Sequence, residues 1–185
     1  MIAAANPGVK LPDQNISVVA RSDSSGTTYV FTGHLSAVSE EFKKTIGHGT
    51  TVQWPTSFVK APKNDGVTAT IKQTPGAIGY IEYTYAMATK QPMATLQNKA
   101  GHFVSAGDKA GMAALAGAEF PAKKLPDSDV PDLRVWLFDP AGKEAYPITT
   151  FTWMLFYRDQ DDAKAKVLRD LVEYGLTKGQ AMAPK

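Results

Sequence analysis

Apolar and polar positions along this chain alternate between two rhythms. Ile16–Ala20 is a short apolar run that reads as a strand, and the spacing over Tyr29–Leu35 predicts a helix spanning 27–35. Residues 1–15 read as a helix tail ending near Asn6-Pro7-Gly8, followed by a turn. Ser39 followed by Glu40 and Glu41 predicts a capped second helix. Thr50–Trp54 alternates like a strand that Pro55 stops. Asn64 or Asp65 would cap a helix carrying Val67, Ala69 and Ile71. Thr74-Pro75-Gly76 then turns the chain into Ala77–Ile81, expected as a short buried strand before a helix over Glu82–Ala88. A helix is expected within 106–117, and the three prolines of 121–131 predict an exposed loop. Phe151–Tyr157 is the strongest strand candidate, with a near-continuous apolar character that predicts burial on both faces. Asp161 or Asp162 begins the clearest helix, with Ala163, Val167, Leu168, Leu171 and Val172 on one face and Gly175 at its end. Helices alternating with short apolar strands make the expected class α/β, a sheet flanked by helices.

The stretch Arg21-Ser22-Asp23-Ser24-Ser25-Gly26-Thr27-Thr28 sits between the first strand and the helix after it. The first turn of a helix carries unpaired N–H donors and a partial positive charge, so this junction suits an anion. Ser25 or a neighbouring serine would cap the helix, and Gly26 lets backbone approach a ligand closely. Arg21 adds a planar fork of donors, and Asp23 is near enough in sequence to hold it. Ser, Asp and Gly in this position also make a plain N-cap with no ligand.

Several stretches resemble one family. Asn6-Pro7-Gly8, Leu11-Pro12, the 19–28 stretch, Phe31-Thr32, Val52–Pro55, Lys63–Val67, Gln73–Tyr83, Tyr146–Thr149 and Gly179-Gln180 occur in the order found in the periplasmic phosphate-binding protein of ABC-type phosphate uptake. Ser24 departs from a usual glycine, and Lys60-Ala61-Pro62 replaces a glycine-rich approach to the Lys-Asn-Asp-Gly motif. The resemblance implies one lobe of a two-lobed, type II binding-protein fold, truncated at both ends. It assigns 1–150 to the second lobe and 151–185 to a return crossover strand and helix of the first lobe. It also implies phosphate contacts from Arg21, Ser25, Gly26 and Thr27, with Asp23 orienting Arg21. The implied partners are inorganic phosphate and an ABC permease, with self-association through the exposed lobe interface. Neither cofactor nor metal is expected, and the implied role is transport without catalysis, in the periplasm or at the cell surface.

Composition narrows the rivals. A net charge of +2 across 185 residues is too mild for nucleic-acid binding. There are no cysteines, which excludes disulfides and thiolate chemistry. No apolar run is long enough to span a membrane, and Met1–Ala5 lacks the features of a signal peptide. His34, His48 and His102 show no metal-ligand spacing and read as surface or boundary residues. The aromatics Trp54, Tyr80, Tyr83, Tyr85, Trp136 and Trp153 fit core packing better than sugar stacking. Two alternatives stand beside phosphate binding. One is a structural or interaction fragment without a ligand. The other is a serine-dependent ester hydrolase, although Ser24 lacks the glycine expected two residues before such a nucleophile.

Overall fold

The computed structural model describes residues 2–126 and 128–182. Met1 of the expected helix tail, Asp127 of the expected loop and residues 183–185 lie outside the described residues. The chain divides into two compact units, 1–150 and 151–185.

The first unit is built on β1, Ser17–Arg21, with β2, Val59–Ala61, on one side and β3, Ala77–Gly79, on the other. Both pairings are parallel: Val19 stands beside Val59 and Gly79, and Arg21 beside Ala61. β1 is therefore the central strand, and Val19 and Ala20 are fully buried. Parallel strands need crossovers, and helices supply them. Between β1 and β2 lie α2, Gly26–Val38, and α3, Glu40–Thr45; between β2 and β3 lies α4, Lys63–Gln73. Val67 of α4 packs with Val19 and Ala61 in the core, and Ile71, Ala77 and Ile81 close around them. Gly79 is required there, because a Cβ would lie 2.8 Å from the Val19 carbonyl and 2.9 Å from Ile71.

Caps set several helix starts as expected. Ser25 Oγ accepts the Thr28 N–H of α2, and Ser39 Oγ accepts the Phe42 N–H of α3. α2 runs three residues beyond the predicted end because Ser39 serves as C-cap for it and N-cap for α3. α4 starts earlier than Asn64 or Asp65 would allow: Pro62 is its N-cap, with no side-chain cap of its own. α5, Tyr83–Thr89, is capped by Glu82. The rest of the unit comprises α1, Ile2–Ala5, a hairpin of β4, Leu96–Gln97, and β5, Phe103–Val104, and α6, Asp108–Leu115. Asn98, almost fully buried at the hairpin turn, accepts the Ala100 and His102 N–H groups and donates toward the carbonyls of Gly142, Lys143 and Ala145.

Two strand expectations fail. Residues 50–54 form a loop: the Thr50 carbonyl accepts the N–H of Ser25, the cap of α2, and the Trp54 N–H turns back to the Val52 carbonyl, so neither joins a strand. The strand formed after it is β2, whose Val59 and Lys60 are exposed and leave little apolar signal. β3 is also less buried than expected, with Ile78 half exposed. In the second unit, Phe151–Tyr157 is no strand: it carries no strand ladder among the described residues. Leu155 is 92% exposed. The helix that follows, α7, Asp162–Leu176, is capped by Asp161 and runs through Gly175. None of its residues is fully buried, and Val167 and Leu171 of the expected apolar face are exposed.

Candidate phosphate-type anion site

Arg21 is the last residue of the central strand. The chain goes to β2 on one side of β1 and returns through α4 to β3 on the other, which opens a crevice beyond the carboxyl end of β1. There the Arg21 guanidinium, 8% exposed, is held from two directions. Asp23 accepts from Nε at 2.8 Å and Nη2 at 2.7 Å, and Asn64 Oδ1 accepts from Nη1 at 3.3 Å. Those bonds leave two of the five guanidinium N–H groups for another acceptor.

Asp23 is itself fixed by the Lys63 N–H at 2.9 Å, so this carboxylate caps α4 from outside the helix. Lys63 takes a left-handed backbone, φ 56°, unusual for a side-chain-bearing residue. That conformation brings its own N–H onto Asp23 and the next side chain, Asn64, onto Arg21. The Arg21 hydrogen bond, with the Lys63 N–H, holds the Asp23 carboxyl well below the usual carboxylate range. The same bond raises Arg21 further. At the crevice, then, a permanent cation is locked in place by a permanent anion.

The helix side supplies fewer donors than the sequence promised. Ser25 N–H donates to the Thr50 carbonyl at 2.9 Å and is taken. Its Oγ accepts the Thr28 N–H at 3.2 Å, leaving the hydroxyl proton to give. The amides of Gly26 and Thr27, in the first turn of α2, have no partner among the described residues, and Gly26 is exposed. The 49–54 loop is pinned across this helix end through Thr32. Its hydroxyl donates to the Thr28 carbonyl at 2.8 Å and accepts the Gly49 N–H at 3.3 Å.

A polar cavity of about 180 Å³ opens beside Arg21, walled by residues 21–23, Thr28, the 50–54 loop and Lys60. Arg21 and Asp23 line it, whereas Ser25, Gly26 and Thr27 do not. Sequence reasoning placed Thr28 in the stretch but gave it no role, and missed Asn64, Lys60 and Tyr80 as parts of this neighbourhood. Tyr80 Oη accepts the Arg21 N–H at 3.2 Å and lies 2.8 Å from Thr28 Oγ1.

The histidines divide. His48 is exposed and packs against Tyr29, whereas His34 is buried in α2, correcting its reading as a surface or boundary residue. Trp54 is core, packed among Phe42, Phe58 and Tyr80, but Trp136 is 43% exposed beside Tyr29. No group of His, Cys, Asp or Glu among the described residues is arranged to hold a metal ion. No helix of the described residues is long and apolar enough to cross a membrane.

A parallel α/β sheet with an anion-ready crevice at the end of its central strand is the architecture of one lobe of a type II solute-binding fold. The chain belongs to the PBP superfamily, whose domain model matches residues 6–177. It is similar to "Phosphate-binding protein PstS" of Xylella fastidiosa, 37% identical over 98% of this chain and 48% of the relative. The protein of the same name from Methanocaldococcus jannaschii is 38% identical over 97% of this chain and 49% of that relative, and the one from Haemophilus influenzae 34% over 98% and 52%. The chain therefore spans about half the length of these relatives, which are binding proteins by name.

Proposed function

We propose that this chain binds inorganic phosphate through Arg21, Ser25, Gly26 and Thr27, with Asp23 orienting Arg21. It does so as part of a periplasmic or cell-surface solute-binding protein that serves an ABC-type permease. The observation that carries this is the Arg21 fork: buried, locked by Asp23, and left with two unspent donors at the crevice five residues before the open amides of α2. The role is binding without catalysis. What supports this is that the relatives are binding proteins by name and that Ser25 Oγ serves as the cap of α2. Residues 1–150 act as the ligand lobe and 151–185 as the crossover segment, which associates with a second copy through the apolar side of α7.

Affinity follows from the donors. A helix start contributes about 0.3–1 kcal/mol at an exposed site. Arg21 with two or three neutral donors adds about 3–6 kcal/mol before the cost of immobilising the ion. A millimolar constant corresponds to about 4 kcal/mol, so binding is expected near or weaker than millimolar, and weaker still in added salt. Titration of the chain with phosphate, followed by the amide resonances of Gly26 and Thr27 with sulfate as control, tests this. Arg21→Lys should weaken binding by about 1–3 kcal/mol, since it keeps the charge and loses the fork. Unmoved Gly26 and Thr27 resonances at tens of millimolar phosphate, on the order of tenfold above the expected constant, would leave the interaction-fragment reading in its place.

A further inference from the structure

We propose that Tyr80 is a positioning residue for the anion site, its hydroxyl stapling the end of β1 to the first turn of α2. This rests on the phosphate-binding reading above. The strand and the helix are joined by the short turn of Ser22, Asp23 and Ser24; the Asp23 bonds tie it to Arg21 and Lys63, and neither reaches α2, so they do not set the distance between Arg21 and the helix amides. Tyr80 closes it from outside. Its Oη accepts the Arg21 N–H at 3.2 Å and sits 2.8 Å from Thr28 Oγ1, so the two ends of the ligand loop meet on one oxygen. The residue follows β3 directly and lies 59 positions along the chain from Arg21.

The hydroxyl is held where it is by the ring. Tyr80 stacks on Phe31 of α2, with centroids 4.3 Å apart and planes 13° from parallel, and its other neighbour is the buried Trp54 at 6.1 Å. Burial raises the phenol above its ordinary value, so it stays protonated and keeps one O–H to share with Thr28. Thr28 is 1% exposed and has its N–H committed to Ser25. The chain of bonds thus runs from Arg21 through Tyr80 and Thr28 to the Ser25 cap, from one end of the cradle to the other. Asp23 and Asn64 orient the Arg21 side chain; Tyr80 fixes the backbone from which that side chain springs.

Tyr80→Phe removes the oxygen and leaves the ring on Phe31, so the core survives. Inorganic phosphate, titrated into the 185-residue chain and followed by the Gly26 and Thr27 amides, is the probe. The dissociation constant in Tyr80→Phe should rise about five- to tenfold, equivalent to ~1–1.4 kcal/mol. In Arg21→Lys, whose fork is already lost, adding Tyr80→Phe should change it by less than about twofold, because the staple acts through Arg21. A residue that only supported the fold would give additive effects in that cycle. Thr28→Ser, which keeps the hydroxyl, should bind like the parent, and Thr28→Val should match Tyr80→Phe. If Tyr80→Phe fails to fold, the Thr28 pair decides. A Tyr80→Phe constant within about twofold of the parent, or full additivity with Arg21→Lys, would overturn the proposal while leaving phosphate binding standing. Absence of phosphate shifts in the parent chain would remove both readings together.

Discussion

The central strand of the first unit and residues 151–157 of the second are both apolar runs, and they end in opposite states. β1 has a partner on each edge, so every inward residue from Val19 onward is removed from water. Residues 151–157 have no ladder among the described residues, and Leu155 and Tyr157 are 92% and 85% exposed. The helices differ in the same way. α4 lays Val67 into a closed core, whereas α7 only half-covers Ala165, Leu168 and Val172, which with Phe156 and Leu176 line a groove of about 590 Å³. The difference teaches that an apolar pattern specifies a face, and only partners turn a face into a core. The candidate crevice sits in the unit that has those partners, where Asp23 and Asn64 hold the Arg21 side chain.

The largest effect that could break this contrast comes from placing a charge in each unit. Val67→Asp should cost more than about 4 kcal/mol, since an unpaired carboxylate would replace a fully buried methyl pair. Leu171→Asp, on an exposed position of α7, should stay within about 0.5 kcal/mol. Urea unfolding followed by far-ultraviolet circular dichroism measures both. Comparable losses in the two variants would mean that α7 is as well packed as the core.

A smaller effect sharpens the reading of the groove. If a second copy covers it, light scattering should show the average mass rising with protein concentration. Leu168→Asp should then weaken association by about 2 kcal/mol, the worth of burying one leucine side chain. A constant monomer mass from micromolar to millimolar, about 8 to 4 kcal/mol of association energy, would remove the self-association proposal.

Legibility in the sequence followed the same divide. Caps were readable because they are local: Ser25, Ser39 and Asp161 each act within three residues. The Arg21–Asp23 pair was readable for the same reason, being two residues apart. The α/β class followed from alternation of the two rhythms. What escaped was long-range. Tyr80 lies 59 positions from Arg21 and Asn64 lies 43, and nothing in their neighbours' pattern says where those polar atoms point. β2 was missed because its Val59 and Lys60 are exposed, and 50–54 was misread because its Thr50 carbonyl is taken by the Ser25 N–H and its Trp54 N–H turns back to Val52 rather than to a strand. Phe151–Tyr157 has the strongest strand pattern in the chain and forms none, since propensity cannot supply the second strand.

The smallest predicted effect belongs to His34 and separates the two units by pH. His34 sits on the buried face of α2, and its Nδ1 has no hydrogen-bond partner among the described residues. Burial pushes its pKa below the ordinary 6.5, with the Asp139 carboxylate opposing part of that shift. The folded state is then the poorer proton acceptor. Above about 6.5 both folded and unfolded chains carry a neutral imidazole, and the full stability is present. As pH falls below that value the unfolded chain takes up its proton first, so stability is lost until the depressed folded value is passed. One proton limits the slope to about 1.4 kcal/mol per pH unit, which makes this the gentlest of the three tests. His34→Leu fills the site with an apolar side chain and removes the titration. The stability difference between parent and variant should therefore stay flat from about pH 7.5 to about 6.5 and drift in favour of the variant as pH is lowered from there to about 5. The second unit lacks a buried residue in α7 to contribute a matching term. A parent–variant difference that stays constant across this range would show that His34 is protonated equally in both states, and that the interior of α2 is wetter than its burial implies.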